Sequence, residues 1–166
     1  MPELKHVLFV CTGNTCRSPM AEALFRAAVA ADPTFETSSA GLAASRGASC
    51  NPETESILKS RGVPVGHFKS RRVTHELLQK ATHVFAMTRA HLQQLEEDFP
   101  EHSDKFYLVC EFAELALSGG QKDIPDPIGL GTSAYLEVAA RFDTAIPTII
   151  AYINQTWVPA SESEKF

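Results

Sequence analysis

Long apolar runs and an excess of basic side chains are both missing from this sequence. Its 166 residues carry 15 lysines and arginines against 20 aspartates and glutamates, a net charge of -5. That balance argues against a surface that binds nucleic-acid phosphates or anionic lipid, because such surfaces are basic. The first residues, MPELKHVLFVC, lack an apolar run long enough for a signal peptide, and no later apolar run approaches the length of a membrane span. We therefore expect a soluble, cytoplasmic protein with no nucleic-acid or membrane partner.

Cysteine is scarce, and its spacing favours neither disulfides nor metal. The four cysteines are Cys11, Cys16, Cys50 and Cys110, which are too scattered in a chain of this length to form a disulfide framework. Only the first two lie close together, and one such pair without neighbouring histidines is a weak signal for zinc. The sequence therefore predicts reduced thiols and no metal site. Five histidines are interpreted as surface or helix-face residues rather than ligands: His6, His75, His83, His91 and His102.

Apolar runs alternate with helical patterns, and no internal repeat is present. Strands are predicted over residues 7–10, 34–39, 83–87 and 106–109, and helices over 19–31, 51–60, 74–80, 88–98 and 133–154. Ser18 and Thr88 are expected to cap the helices that follow them, and Pro147 is expected to kink or restart the last helix. Residues 120–132 are rich in glycine, proline and aspartate, which predicts an irregular segment of the kind that carries substrate-handling groups.

This order of elements predicts an α/β fold. Strands that alternate with helices pair in parallel and carry helices on both faces, which gives a three-layer, doubly wound, four-stranded sheet. The length and the hydrophobic content of 44% suit one domain, placed at residues 1–157, with residues 158–166 as a mobile tail. Ligands of such sheets bind at the carboxyl ends of the strands. The stretch VLFVCTGNTCRSPM, residues 7–20, reaches one of those ends.

The turn in this stretch has the composition of an anion site. Five residues separate Cys11 from Arg17, enough for backbone N–H groups to surround one tetrahedral anion at a helix N-terminus. Gly13 and Asn14 permit a tight backbone, since asparagine is among the few non-glycine residues that tolerate a left-handed conformation. Arg17 can bind two anion oxygens at once. We therefore expect the turn to bind phosphate or a similar oxyanion.

Cys11, at the floor of this turn, is a candidate nucleophile. The helix end, the amides and Arg17 all favour the ionised thiol, so we expect a thiolate at neutral pH. Ser18 is expected to donate a hydrogen bond to the sulfur and to help it leave. This arrangement supplies a nucleophile and electrostatic stabilisation for attack on a phosphoryl group. The alternative, a buried structural cysteine beside a surface arginine, leaves the Gly-Asn, the Ser-Pro and the following helix unexplained.

The segment CTGNTCRSPMAE, residues 11–22, resembles the signature of the low-molecular-weight protein tyrosine phosphatase family. Further similarities follow in the family's order: Ser39 to Gly41, His67 before Arg71, Ala86 to Thr88, and Asp126 with Pro127. The resemblance implies that Cys11 is the nucleophile, Arg17 the phosphate clamp and Asp126 the general acid. The expected fold then has the flavodoxin-like strand order 2-1-3-4.

The resemblance also implies how the loop is held and what it binds. A supporting hydrogen-bond network is expected from Asn14, Ser18, Ser39 and His67. The expected substrate-binding residues are those of the loop: Thr12, Gly13, Asn14, Thr15, Cys16, Arg17 and Ser18. The thiolate and its loop suffice for hydrolysis, so no cofactor is expected. The expected partners are a phosphorylated protein or peptide, and inorganic phosphate or another oxyanion in the loop.

An acid such as Asp126 is also required by the chemistry itself. Attack by Cys11 on phosphorus leaves a departing atom that needs a proton, and the resulting carboxylate can then activate water against the phosphocysteine. From the residues alone, Asp123 lies nearby and stays a candidate, and both could be ordinary turn aspartates. The family's pattern favours Asp126.

Two departures from the usual tyrosine-phosphatase pattern bear on the substrate. Thr15 stands where many members carry a bulky aliphatic residue, and Ile128 with Gly129 stands where they carry aromatic residues. The slot is therefore expected to be smaller and more polar, and the pattern resembles the protein-arginine phosphatase branch. A hydroxyl from Thr15 and a carboxylate from Asp126 suit the polar guanidinium of phosphoarginine. The alternative is that Thr15 is a neutral variant that admits phosphotyrosine.

The same residues bear on three other roles. In the family that this chain resembles, the cysteine at the position of Cys16 can trap an oxidised nucleophile as a disulfide, and the alternative is a small packing residue. Arsenate reduction, as the family implies, needs two further cysteines after the third strand, and residues 88–98 contain none. A non-catalytic phosphate-binding module would need neither a cysteine nucleophile nor an acid loop.

Overall fold

Four parallel strands form the centre of the computed structural model, which describes residues 3–113 and 123–159. The strands are β1 (Lys5–Cys11), β2 (Phe35–Gly41), β3 (His83–Ala86) and β4 (Phe106–Leu108). Their order is β2-β1-β3-β4, and every pairing is parallel. The predicted four-stranded parallel sheet in the order 2-1-3-4 is confirmed.

Helices follow the strands along the chain. They are α1 (Arg17–Ala28), α2 (Pro52–Ser60), α3 (His75–Lys80), α4 (Arg89–Asp98), α5 (Val109–Ala113) and α6 (Thr132–Thr156), with a 3-10 helix at Pro100–Lys105. The 3-10 helix and α5 were not predicted, because six and five residues are too few to display a helical period. Within the described residues, no helix has the length and apolar character needed to span a membrane.

Strand β1 is the structural centre because both of its faces are buried. Successive side chains of a strand point to opposite faces. Phe9 accordingly packs into the cluster that contains residues of α1 and α6, whereas Leu8 and Val10 pack into the cluster on the other side. Both clusters exclude water from β1, which explains its continuous apolar run. The carboxyl end of β1 is thereby held rigidly at Cys11.

Side-chain caps fix the starts of three helices near the predicted positions. Asn51 accepts from the backbone N–H of Glu53 at 2.9 Å, and Thr74 accepts from that of Leu77 at 3.2 Å. Thr88, the predicted cap of α4, accepts from the backbone N–H of His91 at 3.1 Å. Each cap satisfies an N–H that has no partner within the helix and contributes about 1 kcal/mol.

The expected cap at Ser18 is wrong. Helix α1 begins at Arg17, its N-cap is Cys16, and no side chain caps it. The Ser18 hydroxyl instead lies 2.9 Å from the sulfur of Cys11. Tertiary contacts in the preceding loop therefore set the start of α1. The helix also ends at Ala28 rather than at residue 31.

Of the two alternatives expected at Pro147, the restart is wrong, since α6 continues through this residue, and the kink stays a prediction. A proline inside a helix removes the hydrogen bond to the carbonyl four residues earlier, here that of Asp143. Both residues are exposed, so water can satisfy that carbonyl, while Ile146 and Ile149 stay buried in the core. The single domain at residues 1–157 stays a prediction. Of the predicted tail, residues 160–166 lie outside the described residues, as do residues 120–122 of the predicted irregular segment.

His83 was expected at the surface or on a helix face but is buried at the start of β3. Its Nδ1 lies 2.8 Å from the hydroxyl of Thr82, and its ring stacks on Tyr107 with the centroids 5.8 Å apart. Burial, with a smaller contribution from the charge of Lys5, lowers the pKa of His83 to about 4. The imidazole is therefore neutral in the folded protein near neutral pH.

The buried state of His83 predicts a loss of stability in acid. The unfolded chain takes up a proton below the ordinary pKa of 6.5, whereas the folded chain does so only near pH 4. The free energy of unfolding should therefore fall as the pH drops through this window, by about 1.4 kcal/mol per pH unit for this group. Urea unfolding at pH 7 and pH 5 measures the effect. The variant His83→Asn should lose less stability than the wild type, and an equal loss in both proteins would contradict the argument.

Candidate active site

The segment between β1 and α1 forms a loop that is fastened to the end of β2. The backbone N–H of Leu42 donates to the carbonyl of Cys11 at 2.9 Å, and that of Ala43 donates to the carbonyl of Thr12 at 3.0 Å. On the far side, the carbonyl of Thr15 accepts from the backbone N–H of Asn51 at 2.8 Å. Two chain segments, one after β2 and one before α2, therefore hold the loop before any ligand arrives.

Asn14 organises the interior of the loop. It is fully buried and has a left-handed φ of 55°, as its residue type allows. Its side-chain Nδ2 donates to the hydroxyls of Ser18 and Ser39, both at 2.9 Å, and its Oδ1 accepts from the backbone N–H of Arg71 at 3.0 Å. The amide thus binds three different parts of the chain at once.

The sulfur of Cys11 lies at the centre of this network. It accepts from the backbone N–H of Asn14 at 3.3 Å and lies 2.9 Å from the hydroxyl oxygen of Ser18. Because that oxygen already accepts from the Asn14 amide, the proton of Ser18 is available to the sulfur. The side chain is almost fully buried. Two hydrogen-bond donors therefore face a thiol that solvent barely reaches.

Arg17 connects the loop to the segment that carries the candidate acids. Its guanidinium is buried, and its Nη1 donates to the carbonyl of Ile124 at 3.0 Å. The backbone N–H of Ile124 in turn donates to the carbonyl of Met87 at 2.9 Å, just beyond β3. The orientation of the guanidinium is therefore tied to the position of the acid segment, residues 123–131.

The two candidate acids have different surroundings. Asp123 Oδ1 accepts from the backbone N–H of Arg89 at 2.9 Å and lies 3.3 Å from its guanidinium. Asp126 is exposed, and its Oδ1 accepts from the backbone N–H of Ile128 at 3.1 Å. No ion pair involves Asp126 among the residues that the structure describes. Asp123 thus anchors the acid segment to α4, and Asp126 remains open to a ligand.

Cys16 lies next to α6. Its sulfur is 3.7 Å from the hydroxyl of Tyr135 and 3.8 Å from that of Thr15. Burial raises the pKa of Cys16, and the negative charge of Asp126 adds a smaller contribution in the same direction. Burial likewise raises the pKa of Tyr135 to about 12. The redox role of Cys16 stays a prediction.

His67 does not join the hydrogen-bond network that was expected for it. The side chain is exposed, and it forms no hydrogen bond with any residue in the described ranges 3–113 and 123–159. Arg71 occupies this side of the network instead: its backbone N–H binds Asn14, and its Nε donates to the carbonyl of Ser39 at 3.1 Å. The isolated bridge between Gly41 and Arg72 holds this segment along β2.

A family profile described as low molecular weight phosphotyrosine protein phosphatase matches residues 6–158. The chain belongs to this family. A protein-arginine-phosphatase from Geobacillus stearothermophilus is 39% identical over 84% of this chain and 90% of its own length. A low molecular weight protein-tyrosine-phosphatase from Streptomyces coelicolor is 33% identical over 90% of this chain and 93% of its own. A solved structure of the YwlE arginine phosphatase, a mutant with a phosphorylated active-site serine, is 29% identical, with a TM-score of 0.82 over 91% of this chain and 97% of that one.

His91 lies on a helix, as expected, but its contact with the loop between β1 and α1, here called the phosphatase loop, was not anticipated. It is buried in the first turn of α4, and its Nε2 lies 2.7 Å from the hydroxyl of Thr12. Burial and then the charge of Arg17 lower its pKa to about 4, against smaller opposing contributions from Asp123 and Asp126. One signal was available: α4 begins at the carboxyl end of β3, so its first turn had to meet the loop.

One cluster elsewhere has the side chains of a metal site. His75, Glu101 and His102 bring three ligand atoms within 4.8 Å of one another. Two of them, His75 Nδ1 and a carboxylate oxygen of Glu101, already pair at 2.7 Å. His75 and Glu101 are well exposed. The cluster is separate in sequence from every residue of the phosphatase loop, and the expectation that no metal is needed there stays a prediction.

Gly41 is a second residue whose role only the structure reveals. A Cβ at this position would lie 2.5 Å from the carbonyl oxygen of Thr12 and 2.8 Å from the Cβ of Ala44. Neither contact is sterically possible, and the first is with backbone that the loop cannot move freely. The end of β2 therefore requires a glycine so that the phosphatase loop can approach it.

The variant Gly41→Ala should displace the loop and lower the hydrolysis of para-nitrophenyl phosphate by about 10-fold to 100-fold. The control is Gly62→Ala at the far end of α2, where φ is +70° and no atom lies within 4 Å of an added Cβ. That change should strain the backbone and lower stability by about 1 kcal/mol while activity is retained. Full activity of Gly41→Ala would show that the loop tolerates the contact.

Proposed function

We propose that the protein is a cysteine-dependent protein phosphatase that hydrolyses phosphoarginine side chains through a phosphocysteine intermediate. The observation that carries the proposal is the buried sulfur of Cys11, which meets the backbone N–H of Asn14 and the hydroxyl of Ser18 at the end of the central strand. Donors of this kind stabilise a negative sulfur and its departure as a leaving group. All four thiols are free, which is consistent with the reducing cytoplasm.

In the first step, the sulfur attacks phosphorus and the bond from phosphorus to the substrate nitrogen breaks. Asp126 donates its proton to that nitrogen, so the nitrogen departs protonated, as part of a free arginine side chain. The loop amides and the Arg17 guanidinium stabilise the phosphoryl oxygens, where charge develops. The buried position and the fixed orientation of Arg17 support this role, because a guanidinium that is already oriented before the substrate binds needs little reorganisation.

In the second step, the Asp126 carboxylate takes a proton from water, and the oxygen attacks phosphorus. The bond between sulfur and phosphorus breaks, inorganic phosphate forms, and the hydrogen bond from Ser18 supports the returning thiolate. The open carboxylate of Asp126 supports its assignment over Asp123, whose carboxylate is occupied by Arg89. These steps use side chains of this chain alone and need no cofactor.

Two features support phosphoarginine over phosphotyrosine. The 39% identical relative is named a protein-arginine-phosphatase, whereas the 33% identical one is named a tyrosine phosphatase. In this chain, the partly exposed Thr15 contributes a hydroxyl. Ile128, which is 59% exposed, follows Asp126 and Pro127 and provides one apolar side chain rather than an aromatic ring. A polar guanidinium hydrogen-bonds with such groups, whereas a phenyl ring prefers apolar or aromatic walls. The Streptomyces relative keeps phosphotyrosine as the second candidate.

The acid assignment predicts different outcomes for two matched variants. Asp126→Asn should lower kcat by about 10²-fold or more, because the leaving nitrogen loses its proton donor, while inorganic phosphate binds nearly as before. Asp123→Asn keeps an oxygen that can accept from the backbone N–H of Arg89 and should keep most of the turnover. Steady-state kinetics and phosphate inhibition measure both effects. The reverse order of losses would assign the acid to Asp123.

The substrate assignment predicts a change of preference on altering Thr15. Wild type should hydrolyse phosphoarginine peptides with a higher kcat/KM than phosphotyrosine peptides, and Thr15→Ile should shift the ratio toward phosphotyrosine by about tenfold or more. Thr15→Val, which removes the hydroxyl at nearly constant volume, separates polarity from size. Cys11→Ser should hydrolyse neither peptide. Equal preference in wild type and in Thr15→Ile would reject phosphoarginine as the reason for threonine at this position.

A further inference from the structure

Thr12 is exposed, but its hydroxyl contacts a buried side chain. Its hydroxyl oxygen lies 2.7 Å from Nε2 of His91, a residue only 7% exposed. Its carbonyl accepts from the backbone N–H of Ala43 at 3.0 Å. Both ends of Thr12 are thus fixed, directly beside the nucleophile Cys11. Any residue could accept at its carbonyl, whereas the contact with His91 requires a polar side chain.

The hydrogen bond to Thr12 is the only one that the ring of His91 makes with described residues. Nδ1 is buried and has no partner in residues 3–113 and 123–159. Burying an imidazole away from water is unfavourable unless its polar atoms are bonded, so an apolar side chain would fill this space at lower cost. The ring therefore has a purpose besides packing, and that purpose acts through Thr12.

The direction of this hydrogen bond follows from the unpartnered nitrogen. The lowered pKa keeps the ring neutral at working pH, with one N–H and one bare nitrogen. The charges nearby are those of Arg17 on α1 and of Asp123 and Asp126 in the acid segment. A buried N–H without an acceptor is rarer than a buried acceptor without a donor. The buried, unpartnered Nδ1 favours the tautomer in which Nε2 carries the proton and donates to the hydroxyl oxygen of Thr12.

That assignment leaves the proton of Thr12 without an acceptor among the described residues. We propose that His91 is a positioning residue that directs the Thr12 hydroxyl toward the bound phosphoryl group, to which this hydroxyl donates an additional hydrogen bond. The inference rests on the proposed phosphatase function of the same loop. A donor whose oxygen is already fixed by a buried ring needs no reorganisation when the anion arrives.

The test combines phosphate binding with turnover in four single variants. Thr12→Val and His91→Leu remove the hydroxyl and the ring donor, whereas Thr12→Ser and His91→Gln keep an oxygen and a nitrogen at comparable positions. The first pair should weaken binding of inorganic phosphate, measured by calorimetry, by about tenfold and lower kcat/KM for para-nitrophenyl phosphate by a similar factor. The second pair should recover most of both quantities.

The double variant Thr12→Val with His91→Leu separates a shared role from two independent ones. It should bind phosphate no more weakly than either single variant, because each change removes the same hydrogen bond to the anion. Additive losses, unchanged phosphate binding in Thr12→Val, or a His91→Gln variant as impaired as His91→Leu would each overturn the proposal.

Two further features keep the test independent of the function proposed above. Unfolding measurements on every variant identify a merely structural effect, and should His91→Leu fail to fold, Thr12→Val, Thr12→Ser and His91→Gln still decide the outcome. Phosphate binding requires no turnover, so an inactive wild type would contradict the proposed function alone. A substrate other than phosphoarginine leaves the expected results unchanged, because para-nitrophenyl phosphate reports on the phosphoryl site.

Discussion

The structure of the site depends on the side-chain amide of Asn14. Its three hydrogen bonds join the start of α1, the end of β2 and the segment at Arg71. They are made in full burial, where each unsatisfied polar group would cost about 1 to 3 kcal/mol. The left-handed backbone at the same residue brings its N–H to the sulfur of Cys11. One residue therefore sets both the shape of the loop and the surroundings of the nucleophile before a ligand binds.

The parallel sheet explains why such distant segments meet at the loop. The carboxyl ends of β2, β1 and β3 lie side by side, so Gly41, Cys11 and Met87 share one edge of the molecule. Ile124 bonds to the end of β3 through its N–H and to Arg17 through its carbonyl. Arg17, the proposed phosphate clamp, and the segment that carries the proposed acid are thus fixed to each other, which restricts the geometry in which they can act together.

The residues that hold the loop differ from those that face the ligand. Asn14, Ser18 and Ser39 are buried and bond to one another, so any change there alters the common chemistry. Thr15 contributes a partly exposed hydroxyl and can vary without loss of the network. Such a division lets one fold keep its reaction while the walls around the leaving group select the substrate.

The sequence by itself determined those features of the protein that depend on residue type and on residues close together in the chain. The left-handed backbone of Asn14 follows from its residue type, and the cap at Thr88 from an interaction three residues apart. The alternation of strands and helices along the chain predicted the sheet and its parallel pairing. The tertiary structure alone decided that His91 reaches Thr12 across 79 residues and Arg17 reaches Ile124 across 107. It also decided that Asp123 anchors while Asp126 stays open. The physical reason is that local hydrogen bonds follow from residue order, whereas contacts between distant segments exist only once the packed sheet brings them together.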